Sequence, residues 1–270
     1  MTNVHSLYPQ KYRTIWISDI HLGTRDSKVE FLQNFLNSVE CETLYLVGDI
    51  VDLSAMTRGF LYWPQAHNNI VRSILGKAKS GTRVILIPGN HDDMLRTHQG
   101  EVFGNIEIKR TVIHETRDGK KLLVLHGDEF DSMLKCPKIL EWCGVISYDI
   151  LLLLNRLYNK LRLRMGKPYW SLSSYIKSRF NNANKHIEMF ETVVSDYAIK
   201  RKVDGVVCGH IHQPAMKVIN GIQYCNDGDW VEHCSALAET NDGKLSLLYW
   251  TDTNQRSTPQ KAPTSNAVSA

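Results

Sequence analysis

Five short apolar runs, each closing on a block of aspartate, asparagine, histidine and glycine, constrain this chain more than any other feature. Thr14–Ser18 delivers Asp19-Ile20-His21, and Leu44–Val47 delivers Gly48-Asp49-Ile50-Val51-Asp52. Arg83–Ile87 runs into Pro88-Gly89-Asn90-His91-Asp92, and Lys121–Leu125 into His126-Gly127-Asp128. Asp204–Cys208 ends on Gly209-His210-Ile211-His212. A continuous apolar run of this length, bounded by a turn residue, reads as a buried strand. Glycine permits an abrupt turn at the strand's carboxyl end, where α/β folds place their ligands. Helical spacing fills the gaps, through Phe31, Leu32, Phe35 and Leu36 between Val29 and Val39, and again from Gln65 to Lys79, ended by Gly81. Ser54 to Pro64 reads as an aromatic loop. This alternation of strand and helix favours parallel strands and an α/β fold.

The chemistry lies in the sum of the five blocks. A lone Asp-x-His or Gly-Asp is common in ordinary turns, and a lone histidine is more often structural than a ligand. Here five of the eleven histidines close strand-like runs, while His5, His67, His98, His114, His186 and His233 have no such setting and receive no role. In extended backbone, residues two apart share a side, so Asp19 faces with His21 and His210 with His212. Carboxylate and carboxamide oxygens mixed with imidazole nitrogens suit a divalent metal. Asp19, His21, Asp49, Asn90, His126, His210 and His212 are too many for one tetrahedral zinc and fit two metals sharing a bridge. Asp49 is the central carboxylate for that bridge. Two such ions about 3.5–4 Å apart hold a hydroxide between them and grip two phosphate oxygens for in-line attack. His91, left over from ligation, is the candidate acid for the leaving side.

Between His126 and His210 the chain changes character. Pro137 to Met165 is helical and strongly apolar, ending in the basic stretch Asn155–Met165, and a second helical segment runs from Tyr169 to Lys202. Packing against the core accounts for most of these residues. Their apolar density also suits a cap with an apolar groove and a cationic rim, fitted to a lipid carrying phosphate. Beyond it, Ala215–Ile219, Ile222–Cys225, Ala236–Thr240 and Leu245–Trp250 alternate and are joined by Asn-Gly and Asp-Gly turns, as antiparallel strands do. Asn226–Trp230 is a turn beside which a substrate pocket could close. Residues 251–270 are polar and read as a disordered tail.

Bulk properties exclude little else. Six cysteines without a C-x-x-C pair indicate reduced thiols and a cytoplasmic setting. Met1 to Arg13 lacks the apolar core of a secretory signal, and Val145–Leu154 is too short to span a bilayer. Peripheral contact with the inner membrane face remains compatible with the mild net charge of +4. No nucleic-acid motif or internal repeat is present.

The ordered set D-x-H, G-D-x-x-D, G-N-H-D, H-G-D and G-H-x-H resembles the calcineurin-like metallophosphoesterase superfamily over Thr14 to Trp250. The resemblance implies an α/β (α+β) fold: a four-layer αββα sandwich of two mixed sheets. Residues 14–250 would form the domain, with a helical cap inserted at about 135–200, after an extension of residues 1–13. It implies one metal on Asp19, His21, Asp49 and His212 and another on Asp49, Asn90, His126 and His210. It further implies that His91, oriented by Asp52, serves the leaving side. Within the superfamily the chain is most similar to the UDP-2,3-diacylglucosamine diphosphatases of lipid A synthesis, on its length, the H-G-D block, the run ending in Pro214 and the helical insertion. Those enzymes imply manganese, with iron or zinc as alternatives, and a pyrophosphate-linked lipid nucleotide at a membrane surface. His91 stands where the well-studied members carry arginine. The rival reading is a metallophosphoesterase for soluble phosphodiesters, nucleotides or phosphoproteins; a third is a scaffold without catalysis.

Overall fold

In a computed structural model, the structure describes residues 9–134 except 58, 60 and 61, a few residues between 158 and 165, and residues 181–250. Strands β1 (Gln10–Ile17), β2 (Val39–Val47), β3 (Arg83–Ile87), β4 (Val102–Phe103) and β5 (Ile106–Ile108) join β11 (Ser235–Glu239) and β12 (Leu245–Tyr249) in one sheet. Its order is β12-β11-β1-β2-β3-β5-β4. The second sheet holds β6 (Val112–Glu115), β7 (Lys121–Val124), β8 (Gly205–Cys208), β9 (Ala215–Ile219) and β10 (Ile222–Asn226), ordered β6-β7-β8-β10-β9. Both sheets are mixed. β1, β2, β3 and β5 run parallel in the first, and β7, β8 and β10 in the second.

The period of two explains the layers. Alternate residues Trp16, Tyr45, Val47, Ile85 and Ile87 meet Leu122, Val124, Val207 and Cys225 between the sheets. Their neighbours Ile15, Ile17, Leu44, Leu46 and Val84 turn outward onto helices α1 (Val29–Ser38) and α3 (Gln65–Lys79). On the other side Leu123, Val206 and Cys208 pack with Phe190, Val194 and Ala198 of helix α4 (Asn181–Lys200). The result is helix, sheet, sheet, helix. Strands buried on both faces must read as unbroken apolar runs, which is why the five runs were legible. Each of these fully buried large side chains stabilises the fold by about 1.5–3 kcal/mol relative to exposure.

Several elements differ from the sequence reading. Ser54 to Pro64 is not wholly loop, because Leu53–Thr57 forms a short helix, α2. β1 begins at Gln10, inside the expected N-terminal extension. The four C-terminal strands do pair antiparallel within β9–β10 and β11–β12, yet the two pairs join different sheets. Short-range alternation carries no information about which sheet a strand enters. The apolar block 145–154, most of the basic stretch 155–165, residues 177–180 of the basic patch, Cys136, Cys143 and the tail lie outside the described residues. Cys41, Cys208, Cys225 and Cys234 are free thiols, and all but Cys41 are buried. Among the described residues no helix is long and apolar enough to cross a membrane.

Candidate metal centre

The carboxyl ends of β1, β2, β3, β7 and β8 meet at one edge of the sandwich, stitched by backbone. Asp19 N–H donates to Gly48 O at 3.0 Å, His21 N–H to Asp49 O at 2.9 Å, and Gly209 N–H to His126 O at 3.1 Å. Asp19, His21, Asp49, His210 and His212 all sit in the left-handed region, at φ of 49°, 53°, 54°, 69° and 51°. They are five of nine non-glycine residues with positive φ among the described residues. Such backbone costs about 1–3 kcal/mol per residue and concentrates at functional sites. It also revises the sequence argument. Asp19 and His21 share a side through alternating left-handed residues beyond β1, not through the pleat of a strand.

Asp19, His21 and His212 form one triad whose offered atoms lie within 4.8 Å of one another, and Asp49, His126 and His210 form a second; His21 also groups in this way with Asp52 and His91. His212 Nε2 lies 3.2 Å from Asp19 Oδ1, and His21 Nε2 lies 4.0 Å from it. Asp49 Oδ2 stands 3.4 Å from His126 Nε2 and 3.9 Å from His21 Nε2, so Asp49 touches both groups.

The carboxylates divide their labour. Asp19 Oδ2 accepts from His210 N–H at 2.9 Å and from the Ser18 hydroxyl, and Asp49 Oδ1 accepts from His91 N–H at 2.8 Å. Asp19 Oδ1, His21 Nε2 and His126 Nε2 are buried with no hydrogen-bond partner. A carbonyl can only accept, so His126 Nδ1, 2.8 Å from Val47 O, carries a proton, which in the neutral ring leaves the lone pair on Nε2. Buried lone pairs facing one another without a donor are costly, and a cation answers all of them. The residues therefore fit a divalent metal pair. Burial alone would raise the Asp49 carboxyl, but His126, His21 and His91 beside it hold it far below the usual range.

Two glycines make room. A Cβ at Gly89 would strike Asp49 Oδ1 and approach His126 Nε2 to 2.7 Å, and one at Gly48 would collide with the His126 ring. Asn90, on the same turn, is exposed. It stands at the mouth of the site rather than within the buried triads.

His91 Nδ1 lies 3.0 Å from Asp52 Oδ2, and its ring meets His21 edge-on at 4.7 Å between centroids. Burial would lower the His91 imidazole, but Asp52 and then Asp49 raise it. Asp52 itself would rise on burial; His21 and His91 hold it far down.

Some residues of the blocks do other work. Asp92 points inward and accepts from Gly89 N–H at 2.6 Å and Ile50 N–H at 2.8 Å, clamping two ligand loops together. Burial, with Asp49 nearby, pushes its carboxyl up. Asp128 grips Arg96 at 2.7 and 2.8 Å, and Arg96 also donates to Pro88 O. Asn226 to Trp230 does not border an open pocket. Asn226, Asp227, Asp229 and Trp230 are fully buried, and Asp227 Oδ1 lies 2.7 Å from Ser18 Oγ behind Asp19. Ser18, Asp92 and Asp227 were missed as supports because their roles depend on partners far away in sequence.

The calcineurin-like phosphoesterase family model matches residues 12–214, and the chain belongs to that family. It is a metal-dependent phosphoesterase. Among curated proteins it is similar to the UDP-2,3-diacylglucosamine hydrolase of Blochmanniella pennsylvanica (strain BPEN), 24% identical over 247 residues, covering 87% of this chain and 94% of the relative. The UDP-2,3-diacylglucosamine hydrolase of Shewanella baltica (strain OS155 / ATCC BAA-1091) is 24% identical over 242 residues, with 86% and 95% covered. Among solved structures, the phosphoesterase Yfce from E. coli aligns at TM-score 0.46 and 16% identity, covering 89% of this chain and 94% of that one.

Proposed function

We propose that this chain hydrolyses the pyrophosphate bond of UDP-2,3-diacylglucosamine, or of a similar lipid-linked nucleotide, from the cytoplasmic side of a membrane surface. Asp19, His21, Asp49 and His212 would hold one divalent ion, and Asp49, Asn90, His126 and His210 the other, with manganese favoured over iron or zinc. The observation that carries the reaction class is the set of buried, unpartnered lone pairs on Asp19, His21 and His126. Support for the substrate comes from the name shared by the curated relatives and from alignment along nearly their whole length.

Bound there, two divalent cations supply Lewis acidity, acidifying water and neutralising charge on phosphate oxygens. The chain's own residues do the rest. Asp49 joins the two triads, and its hydrogen bond from His91 N–H ties the acid's backbone to the bridge. His91 Nδ1 lies 3.0 Å from Asp52 Oδ2 without hydrogen-bond geometry, so the carboxylate favours the charged ring by proximity, and Nε2 is left to pass a proton to the departing phosphate. The apolar insertion would seat the acyl chains while the core processes the pyrophosphate.

A second reading, hydrolysis of soluble phosphodiesters, nucleotides or phosphoproteins, is favoured by His91 itself, a partly exposed imidazole backed by a carboxylate. One experiment separates them. Manganese-supplemented turnover of UDP-2,3-diacylglucosamine, followed by mass spectrometry, is expected to yield UMP and the acylated sugar 1-phosphate. Polar replacement of Leu151, Leu152, Leu153 and Leu154 should cut that turnover and spare a small chromogenic diester. Equal loss of both activities in a folded variant rejects the groove, and turnover of the diester alone moves the search to soluble substrates.

A further inference from the structure

Every imidazole in the centre has two nitrogens and, when neutral, one lone pair; the partner of the other nitrogen decides which atom carries it. For His126 that partner is Val47 O. For His21 it is Asp52, 3.5 Å from Nδ1. Both partners are buried. His210 differs. Its Nε2 lies 2.8 Å from Asp131 Oδ1, and the Asp131 side chain is 52% exposed.

Resting on the two-metal reading above, we propose that Asp131 is the positioning residue of His210. It accepts a hydrogen bond from Nε2–H, which leaves the lone pair of the neutral ring on Nδ1, and holds that nitrogen toward Asp49 and His126. Sequence reading stopped at His126-Gly127-Asp128 and gave Asp131 no role. The turn that carries it is a 3₁₀ helix, Asp128–Met133, entered through Gly127 at φ 119°. With three residues per turn, Asp128 and Asp131 lie along one edge of it. The edge is braced at both ends: Asp128 holds Arg96, and Phe130 is buried against Phe190 and Tyr197 of α4, with ring centroids 6.4 and 5.2 Å apart. The backbone of His210 is already fixed by its left-handed φ and its bond to Asp19. Ring rotation is the remaining freedom. Asp131 removes it, with the His126 ring at 5.1 Å and the Phe190 ring at 6.0 Å as walls.

An ordinary half-exposed ion pair would leave metal uptake untouched. Manganese titration of the metal-free full chain, by calorimetry and by metal analysis after desalting, tells the two apart. Wild type is expected to bind two ions. Asp131→Ala should keep one at wild-type affinity and weaken the other about 10–100-fold. Asp131→Asn, whose carboxamide oxygen still accepts from Nε2, should fall between. In an Asp131→Ala/His210→Ala double variant, the alanine at 131 should add nothing to the loss from His210→Ala. Thermal unfolding checks that each variant folds. Two wild-type affinities in folded Asp131→Ala overturn the inference alone. A wild-type chain that takes up no manganese overturns the two-metal reading and the inference with it.

Discussion

Two of the buried carboxylate and imidazole clusters in the sandwich differ in one respect. Near the start of β1, Glu239 accepts from Arg13 at 2.7 Å, Thr14 at 3.0 Å, Arg117 N–H at 2.7 Å and His114 Nε2 at 3.0 Å. His114 Nδ1 is in turn 3.3 Å from the Tyr45 hydroxyl. Just past the other end of β1, Asp19 and Asp49 face His21, His126 and His212, and Asp19 Oδ1, His21 Nε2 and His126 Nε2 have no hydrogen-bond partner. Carboxylate and imidazole occur in both places. One cluster closes on itself through an arginine and backbone donors, and joins the two sheets. The other pairs its carboxylates with histidines and, among the described residues, with no arginine or lysine. A buried acid surrounded by donors is structure, whereas acids and imidazoles whose lone pairs converge require a guest.

That contrast is open to direct attack. The largest effect should come from Asp49→Asn, which removes the charge that lies between the two triads. Turnover should fall by about 10³-fold or more, and metal analysis should find fewer than two ions per chain. Retention of both ions would deny Asp49 its bridging place. Next comes His91→Ala, expected to lower kcat by about 10²–10⁴-fold with metal content intact, because His91 is assigned to the leaving side and not to a metal. The loss should shrink on substrates with more acidic leaving groups; a uniform loss would argue against proton donation.

At the other cluster the readout reverses. Glu239→Ala should leave kcat and metal content unchanged and cost about 3 kcal/mol of stability in urea titrations. Burial would raise the Glu239 carboxyl, but His114, Arg117 N–H, Arg13 and Thr14 together hold it at about 2 against an ordinary 4.5. The unfolded chain therefore takes up this proton more readily than the folded one. Its contribution is full above pH 4.5 and lost as pH falls toward 2. Comparison of urea midpoints at pH 6 and pH 3 should show a smaller drop for Glu239→Gln than for wild type; equal drops would assign the acid sensitivity to other carboxylates.

Much of this molecule was readable in one dimension. The double-sided burial of β1, β2, β3, β7 and β8 writes itself as apolar runs, and the helix Gln65–Lys79 and strand Ala215–Ile219 have the bounds that periodicity gave them. The donors could be named because they follow those strands within a few residues, in an order few other folds would require. Other features belong to the tertiary structure alone. Asp92, Asp227 and Asp131 look like ordinary turn residues, and only the meeting of distant loops shows that they hold amides, Ser18 and His210. His114 lies within β6 and His126 just past β7, and a glycine follows only the second. What divides structure from site is whether the partner across the sandwich is a donor or another lone pair. A sequence lists the groups along one chain, and only folding sets the distances between them.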